Sequence, residues 1–245
     1  MEEKRTIEGR RPVLEALRAG TPITGLLLQK GSHGKPVEEI LALAKQGNIP
    51  VRFLDKSSLE KLAATRNHQG VLAETEPFSY TPFSDLIKGI EGEAPFLLIL
   101  DHVQDPHNLG AIMRSAHAAG CHGLVIPERR AVQVTPAVVR TAAGAAEHLP
   151  VARVVNLARC LEECKSAGIW VYGADMNGDN LYTAGDYRGA VALVIGAEGS
   201  GLSRLIKEKC DHLVKLPMKG RLASLNASVA GALLLYEVYR QREGF

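Results

Sequence analysis

Short polar side chains crowd three places in this chain, each just beyond an apolar run. In "LPMKGRLASLNASVAGALLLYE" (216–237), Pro217 and Gly220 bend the chain, and Ser224, Asn226 and Ser228 precede an apolar helical run ending in Tyr236 and Glu237. A helix start needs oxygen acceptors for its orphan N–H groups, but one cap residue suffices. Three polar groups at alternate positions, with Ala227, Ala230, Gly231 and Ala232 beside them, point to a binding turn on a helix that packs very closely. Alone, the stretch also reads as a capped core helix.

In "LVIGAEGSGLS" (193–203) an apolar run enters a turn holding Gly196, Glu198, Gly199 and Gly201. Such glycines admit a ligand to the backbone or permit positive φ. A tight strand–helix connection explains the glycines equally well, but a plain turn does not need the glutamate. In "LDHVQDPHNLGAIMRSAHAAG" (100–120), Asn108 can cap a helix and Arg114 lies six residues on, between Ile112 and Ala116. By itself this segment reads as a capped surface helix with a solvated arginine.

Other candidates are poorer. Cys160 and Cys164 are spaced four apart on a helical pattern with no histidine pair to match, so no zinc site is expected. His68, in "RNHQGVLAE", reads as a turn or surface residue, and His102, His107, His117 and His122 are scattered. No phosphate-binding Walker loop and no G-x-S-x-G elbow occurs.

The elements that must position these groups alternate along the chain. A first unit reads as helix 12–20, strand 23–30, helix 35–47, strand 51–54, helix 57–66 and strand 70–74. Residues 75–95, with three prolines and two glycines, read as a linker with one helical turn near Asp85–Lys88. Then "FLLIL" (96–100) is a continuous apolar run, as a strand covered on both faces should be. Further strands are expected at 123–127, 151–155, 169–175, 190–198 and 212–217, with helices at 108–120, 135–148, 157–168 and 202–210 between them. This alternation predicts an α/β fold with a parallel sheet, whose ligands bind at the carboxyl ends of the strands. All three polar clusters follow such ends. The expected division is therefore 1–74, a linker 75–95, and 96–245.

Composition excludes little more. Of 245 residues 46% are hydrophobic and 23% charged, and the formal charge is +2, so a basic partner-binding face must be local. Four cysteines are too few for a disulfide scaffold. No apolar run has the length of a membrane span, and residues 1–11 lack the apolar region of a signal peptide. A cytoplasmic protein is expected.

Taken together, in this order and spacing, "DPHNLGAIMRSAHAAG", "VIGAEGSGLS" and "LPMKGRLASLNASVAGALLLYE" resemble the three motifs of the SpoU (TrmH-type, SPOUT superfamily) RNA ribose 2′-O-methyltransferases. The resemblance is strong over residues 95–245. Through "IEGRRPVLEAL" and "NHQGVLAE" it extends to the RNA substrate-binding domain of the branch that methylates a guanosine in large-subunit ribosomal RNA. Ala227 stands where a valine is common.

The resemblance implies a C-terminal domain with a deep trefoil knot, a homodimer through that domain, and S-adenosylmethionine as cofactor. By family position, Gly196, Leu216, Met218 and Leu225 should line the cofactor pocket, and Asn108, Arg114, Glu198, Ser224 and Asn226 are the catalytic set. Arginine is a demanding base, since its pKa lies above about 12. The resemblance implies a catalytic Arg114, often taken as the base, and the milder role is a grip on a neighbouring phosphate with stabilisation of the developing alkoxide; the sequence leaves both open. Glu198 and Asn226 are expected to orient Arg114 or the ribose, and Ser224 to bind phosphate or hydroxyl. No metal is implied. The RNA partner is expected to be 23S ribosomal RNA rather than transfer RNA, presented by the first domain through basic residues such as Lys4, Arg5, Arg10, Arg11, Arg52 and Arg66. A non-catalytic RNA-binding assembly factor is the alternative, and such a chain should have lost Arg114, Glu198 or Asn226. A nicotinamide enzyme needs a glycine-rich turn after its first strand, whereas "FLLIL" is followed by "DHVQDPHN".

Overall fold

Strand–helix alternation builds two units, Met1–Ser79 and Tyr80–Phe245. The structure, a computed structural model, describes residues 5–18, 20–63, 67–76, 78–220 and 224–244.

The first unit runs β1 (Arg5–Glu8), α1 (Arg10–Arg18), β2 (Ile23–Gln29), α2 (Lys35–Gln46), β3 (Val51–Leu54), α3 (Lys56–Leu62) and β4 (Val71–Thr75). Its sheet has the order β1-β4-β2-β3. β4 is antiparallel to β1 and β2, and β3 is parallel to β2. Successive side chains of a strand face opposite ways. Leu26 and Leu28 therefore join Val13, Val37 and Ile40 of α1 and α2 in one core, while Leu27 meets Leu59 of α3 and Leu72 on the other face. α3 starts after Asp55, which accepts the Ser58 N–H at 2.9 Å. The Ser57 hydroxyl, that N–H and the Ser58 hydroxyl hold the Asp55 carboxyl well below the usual carboxylate range. The sequence reading lacks β1, because Arg5–Glu8 has a single apolar residue and no alternation. The strand exists through its pairing with β4. His68 lies in the turn before β4, yet it is buried rather than at the surface.

The second unit runs α4 (Phe83–Lys88), β5 (Phe96–Asp101), α5 (Pro106–Ala118), β6 (Gly123–Pro127), α6 (Pro136–Thr141), α7 (Ala145–His148), β7 (Val151–Val154), α8 (Leu157–Ser166), β8 (Trp170–Ala174), β9 (Asn180–Leu181), β10 (Val191–Gly196), α9 (Arg204–Lys209), β11 (His212–Lys215) and α10 (Ala227–Glu243). The strands form one sheet of order β7-β6-β5-β10-β8-β11-β9, and every pairing is parallel. The α/β class and parallel sheet expected from the sequence are thus present. β5 and β10 lie at the centre and are buried at every residue, which requires helices on both faces. α4, α8 and α9 cover Leu97, Ile99, Ala192 and Val194; α10 packs on α5 and β10 over the opposite face.

Two departures from the sequence reading have physical causes. The proline-rich stretch 75–95 contains α4, whose Phe83 and Leu86 are buried in the second unit's core. A Cβ on Gly123 would lie 2.6 Å from a Leu86 methyl, so the helix sits directly on β6. The single helix expected over 135–148 is two helices, because Ala143 (φ 49°) and Gly144 (φ 92°) adopt left-handed backbone between α6 and α7.

Candidate functional site

From β5 the chain turns outward to β6 and β7, and from β10 it reaches β11 on the other side. The carboxyl ends of β5 and β10 therefore lie where the connections diverge, the place at which open parallel sheets bind ligands. The loops after β5, β10 and β11 meet there.

Asp101, at the end of β5, is buried and ties the first loop to the second. Its carboxylate accepts the Ser203 N–H at 2.7 Å and meets His102 Nδ1 at 2.5 Å. α5 is capped by Asp105, which accepts from the N–H groups of His107 and Asn108. Asn108 is thus not the cap expected from the sequence but a first-turn residue with its side chain free for other work. Its Oδ1 accepts from Asn226 Nδ2 at 2.9 Å, and its own Nδ2 donates to Glu198 Oε2 in a longer bond of 3.4 Å. Asn226 also caps α10, accepting the Ser228 N–H at 2.9 Å. One residue from each polar cluster therefore joins a single chain, Asn226–Asn108–Glu198.

The loop after β10 is built by glycine. Gly199 (φ 81°) and Gly201 (φ 66°) take left-handed backbone, and the Gly201 N–H returns to the Ala197 carbonyl at 2.9 Å. A Cβ on Gly196 would stand 2.1 Å from the Gly201 carbonyl carbon, so no larger residue fits. Beside this loop is a cavity lined by Gly196, Leu216, Met218, Ser224 and Leu225, with Asp175 and Lys207 on its wall. The Asp175 carboxylate, nearly fully buried, pairs with Lys207 Nζ at 2.5 Å and accepts the Asn177 N–H at 2.9 Å.

The four residues expected to hold a cofactor thus surround one cavity, with Ser224 among them. Asn108, Glu198 and Asn226 form one hydrogen-bonded chain. Arg114 does not join it, contrary to the expectation that Glu198 and Asn226 would meet that arginine. Six residues of helix turn Arg114 about 120° from Asn108 and carry it about 9 Å along the axis. It is exposed, and among the described residues no hydrogen bond or ion pair holds it. Sequence reading missed Asp101, Asp175 and Lys207. Asp101 ends β5 and Asp175 directly follows β8, and that position at the carboxyl ends of strands was the available signal.

In the first unit, Lys4, Arg66 and the Arg5 side chain lie outside the described residues. Arg52 is bound to both oxygens of Glu74 at 3.0 Å. Arg11 is exposed, and Arg10 donates to the carbonyls of Gln69 and His33. Among the described residues no group of three or more His, Cys, Asp or Glu is placed to hold a metal ion, and no helix is long and apolar enough to cross a membrane.

Comparison with known proteins adds the family. The SpoU rRNA Methylase family model matches residues 95–236. The model for RNA 2′-O ribose methyltransferase substrate binding matches residues 6–81. A Bacillus subtilis (strain 168) relative, YacO, carries the name of a TrmH family tRNA/rRNA methyltransferase and is 47% identical over 236 residues, spanning 96% of this chain and 94% of its own. A Staphylococcus aureus (strain COL) relative with the same family name is 44% identical over 242 residues, 98% and 97% of the two chains. Among solved structures, the SpoU methyltransferase AviRb from Streptomyces viridochromogenes, in complex with AdoMet, aligns at TM-score 0.64 with 29% identity over 98% of this chain and 91% of its own. An AdoMet-bound rRNA methyltransferase from Sinorhizobium meliloti aligns at TM-score 0.62 with 27% identity, over 97% and 87% of the chains.

Proposed function

The chain belongs to the SpoU rRNA methylase family, and from that premise we propose that it methylates the ribose 2′-hydroxyl of a guanosine in 23S ribosomal RNA. Methyl transfer to RNA from S-adenosylmethionine is the activity of the family to which it belongs. The observation that carries the reading is the junction of all three motifs in the Asn226–Asn108–Glu198 chain beside the glycine-built cavity.

The cavity fits the cofactor's chemistry. A flat base and a ribose need apolar cover and main-chain partners; Leu216, Met218 and Leu225 supply the first, and the loop from Gly196 to Gly201 the second. The bound cofactor supplies an electrophilic methyl on a sulfonium. The protein's task is then to hold the attacking hydroxyl in line and to receive its proton. Asn226 fixes the Asn108 amide, and Asn108 in turn steadies one oxygen of Glu198. The second Glu198 oxygen is left to accept from the ribose hydroxyl. Ser224, exposed at the cavity, binds the hydroxyl or an adjoining phosphate. Arg114, held by no described partner, grips a phosphate of the RNA and offsets charge on the developing alkoxide.

The same reading includes a homodimer and a knotted C-terminal domain. Val229, Leu233 and Tyr236 of α10 are 48%, 42% and 49% exposed and share one helix face, an apolar stripe that supports a second copy as its cover. The knot belongs to this reading through the family alone, and Gly231 lets α10 pack closely on Ile195 of β10, 3.0 Å from an added Cβ. Residues 1–74 bind the RNA and 96–245 carry out the transfer.

The test is incubation of the purified chain with methyl-labelled S-adenosylmethionine and separated ribosomal and transfer RNA fractions. Label in 23S ribosomal RNA is expected. Label confined to transfer RNA would overturn the choice of substrate, and absence of label from both would favour the non-catalytic alternative.

A further inference from the structure

The first unit holds a polar recess of its own. Residues Arg10, Gln29, Lys56, Glu60, His68, Gln69 and Gly70 line a recess at one edge of its sheet. β1 and β2 are both antiparallel to β4, and β3 is parallel to β2. The three strands therefore point the same way. Arg10 follows the carboxyl end of β1, Gln29 ends β2, and Lys56 follows β3. The recess sits at the edge where α/β sheets bind ligands.

His68 distinguishes this recess from an ordinary polar groove. The residue is buried, only 6% exposed. Nδ1 accepts the Gly70 N–H at 3.1 Å, which puts the proton of the neutral ring on Nε2. Among the described residues no acceptor is paired with that Nε2–H. A buried donor without a partner costs stability, so its presence on the wall of a recess points to an external acceptor. The turn that presents it is strained to do so. Gln69 takes left-handed backbone at φ 51°, and Gly70 follows at φ 77°. A Cβ on Gly70 would lie 2.9 Å from the Ser32 hydroxyl.

The other groups around the recess divide by charge. Arg10 is anchored through Nε to the Gln69 carbonyl at 3.1 Å and through Nη1 to the His33 carbonyl at 3.3 Å, which fixes its guanidinium while leaving N–H groups over. Lys56 adds an exposed ammonium. One anchored guanidinium with an ammonium beside it suits a phosphate. Glu60, 3.9 Å from Lys56, is a carboxylate that a phosphate site alone does not need. Gln29 and His68 offer neutral donors. Cations, a carboxylate and neutral amide and imidazole donors match a phosphate joined to a base edge that both donates and accepts.

We propose that this recess binds a single unpaired nucleotide of the RNA substrate: Arg10 and Lys56 hold its phosphate, and Glu60, Gln29 and His68 Nε2–H read its base. The proposal rests on the RNA methyltransferase reading above. Unpaired nucleotides are the usual targets of sequence-specific RNA recognition because their base edges are free.

The test uses the full chain and 23S ribosomal RNA from cells lacking the protein. Gln29→Ala with Lys56→Ala should weaken RNA binding about tenfold, about 1.4 kcal/mol, with S-adenosylmethionine affinity unmoved. Glu60→Gln separates the two kinds of site. A groove that only attracts phosphate should bind RNA more tightly once the carboxylate is gone, whereas a base-reading recess should bind it more weakly. Titration of guanosine 5′-monophosphate against inorganic phosphate, followed through the Gln69 and Gly70 amide signals, should shift those signals with the nucleotide at concentrations where phosphate does not. Tighter RNA binding by Glu60→Gln, equal shifts with phosphate, or unchanged RNA affinity of the double variant would each overturn the proposal. If the wild-type chain methylates RNA while the variants bind it normally, the recess assignment alone fails. If the wild-type chain methylates no RNA, the underlying reading fails with it.

Discussion

Asn226 donates its side-chain amide to Asn108 Oδ1 at 2.9 Å, so the N-terminal turns of α5 and α10 are joined by one hydrogen bond across 118 residues of chain. The same Asn226 caps α10 through its oxygen. The two roles can be separated. Asn226→Ser keeps a capping oxygen and loses the amide donor. It should leave stability within about 0.5 kcal/mol, whereas Asn226→Ala should lose about 1 kcal/mol with the cap. Both should slow methyl transfer about tenfold or more, measured in single-turnover assays beside urea unfolding. Full activity of Asn226→Ser would show that the Asn108 contact is structural only.

Gly196 has no room for a side chain, since its added Cβ would stand 2.1 Å from backbone of the facing Gly201. Gly196→Ala should move the loop, lower stability by about 1–3 kcal/mol, and weaken S-adenosylmethionine binding more than tenfold by calorimetry. Unchanged cofactor affinity would mean that this loop does not form the cofactor wall.

Arg114→Ala should cost about a hundredfold in transfer rate, the usual loss for one group that stabilises developing charge, with cofactor affinity little changed. Arg114→Lys should recover part of it, since lysine keeps a point charge but not a two-pronged grip. Transfer by Arg114→Ala at the wild-type rate would leave Arg114 a solvated surface residue of α5.

Glu237 gives α10 a dependence on pH. The Arg240 guanidinium donates to its carboxylate at 2.8 and 3.0 Å and Gln241 adds a bond of 2.8 Å. Arg240 foremost, then Gln241, holds the carboxyl below its ordinary 4.5 against the opposing effect of burial. A carboxyl lowered by folding stabilises the protein above its unfolded pKa, and that contribution is lost as pH falls through the folded value. Glu237→Gln should therefore be less stable than wild type by about 1 kcal/mol at pH 7, with the gap narrowing below pH about 4.5. Urea unfolding at pH 7 and pH 4 checks this; a gap independent of pH would contradict it.

The parts of this fold that were legible had local signals. "FLLIL" and "VALVIG" are unbroken apolar runs, and both are central strands buried at every residue. β1 was hidden because a four-residue strand with Ile7 as its apolar residue exists only through β4. The break at Ala143 and Gly144 was masked by alanines that favour helix. In the site, Asn226 at its helix start was readable, and so was the glycine loop. Asp105 before Pro106 is a capping pattern that should have displaced Asn108 as the cap. The partner of Asn108 was not readable. Which side chain meets Glu198 and Asn226 depends on how three loops fold together, and Arg114 was suggested by the family resemblance.

The central claim is ribose methylation of a 23S ribosomal guanosine, and nucleoside analysis tests it most directly. 23S ribosomal RNA from cells lacking this protein, digested to nucleosides and measured by mass spectrometry, should contain one fewer 2′-O-methylguanosine per molecule than RNA from parent cells. Treatment with the purified chain and S-adenosylmethionine should restore that nucleoside. An unchanged 2′-O-methylguanosine content in cells lacking the protein, with none added by the purified chain, would contradict the account.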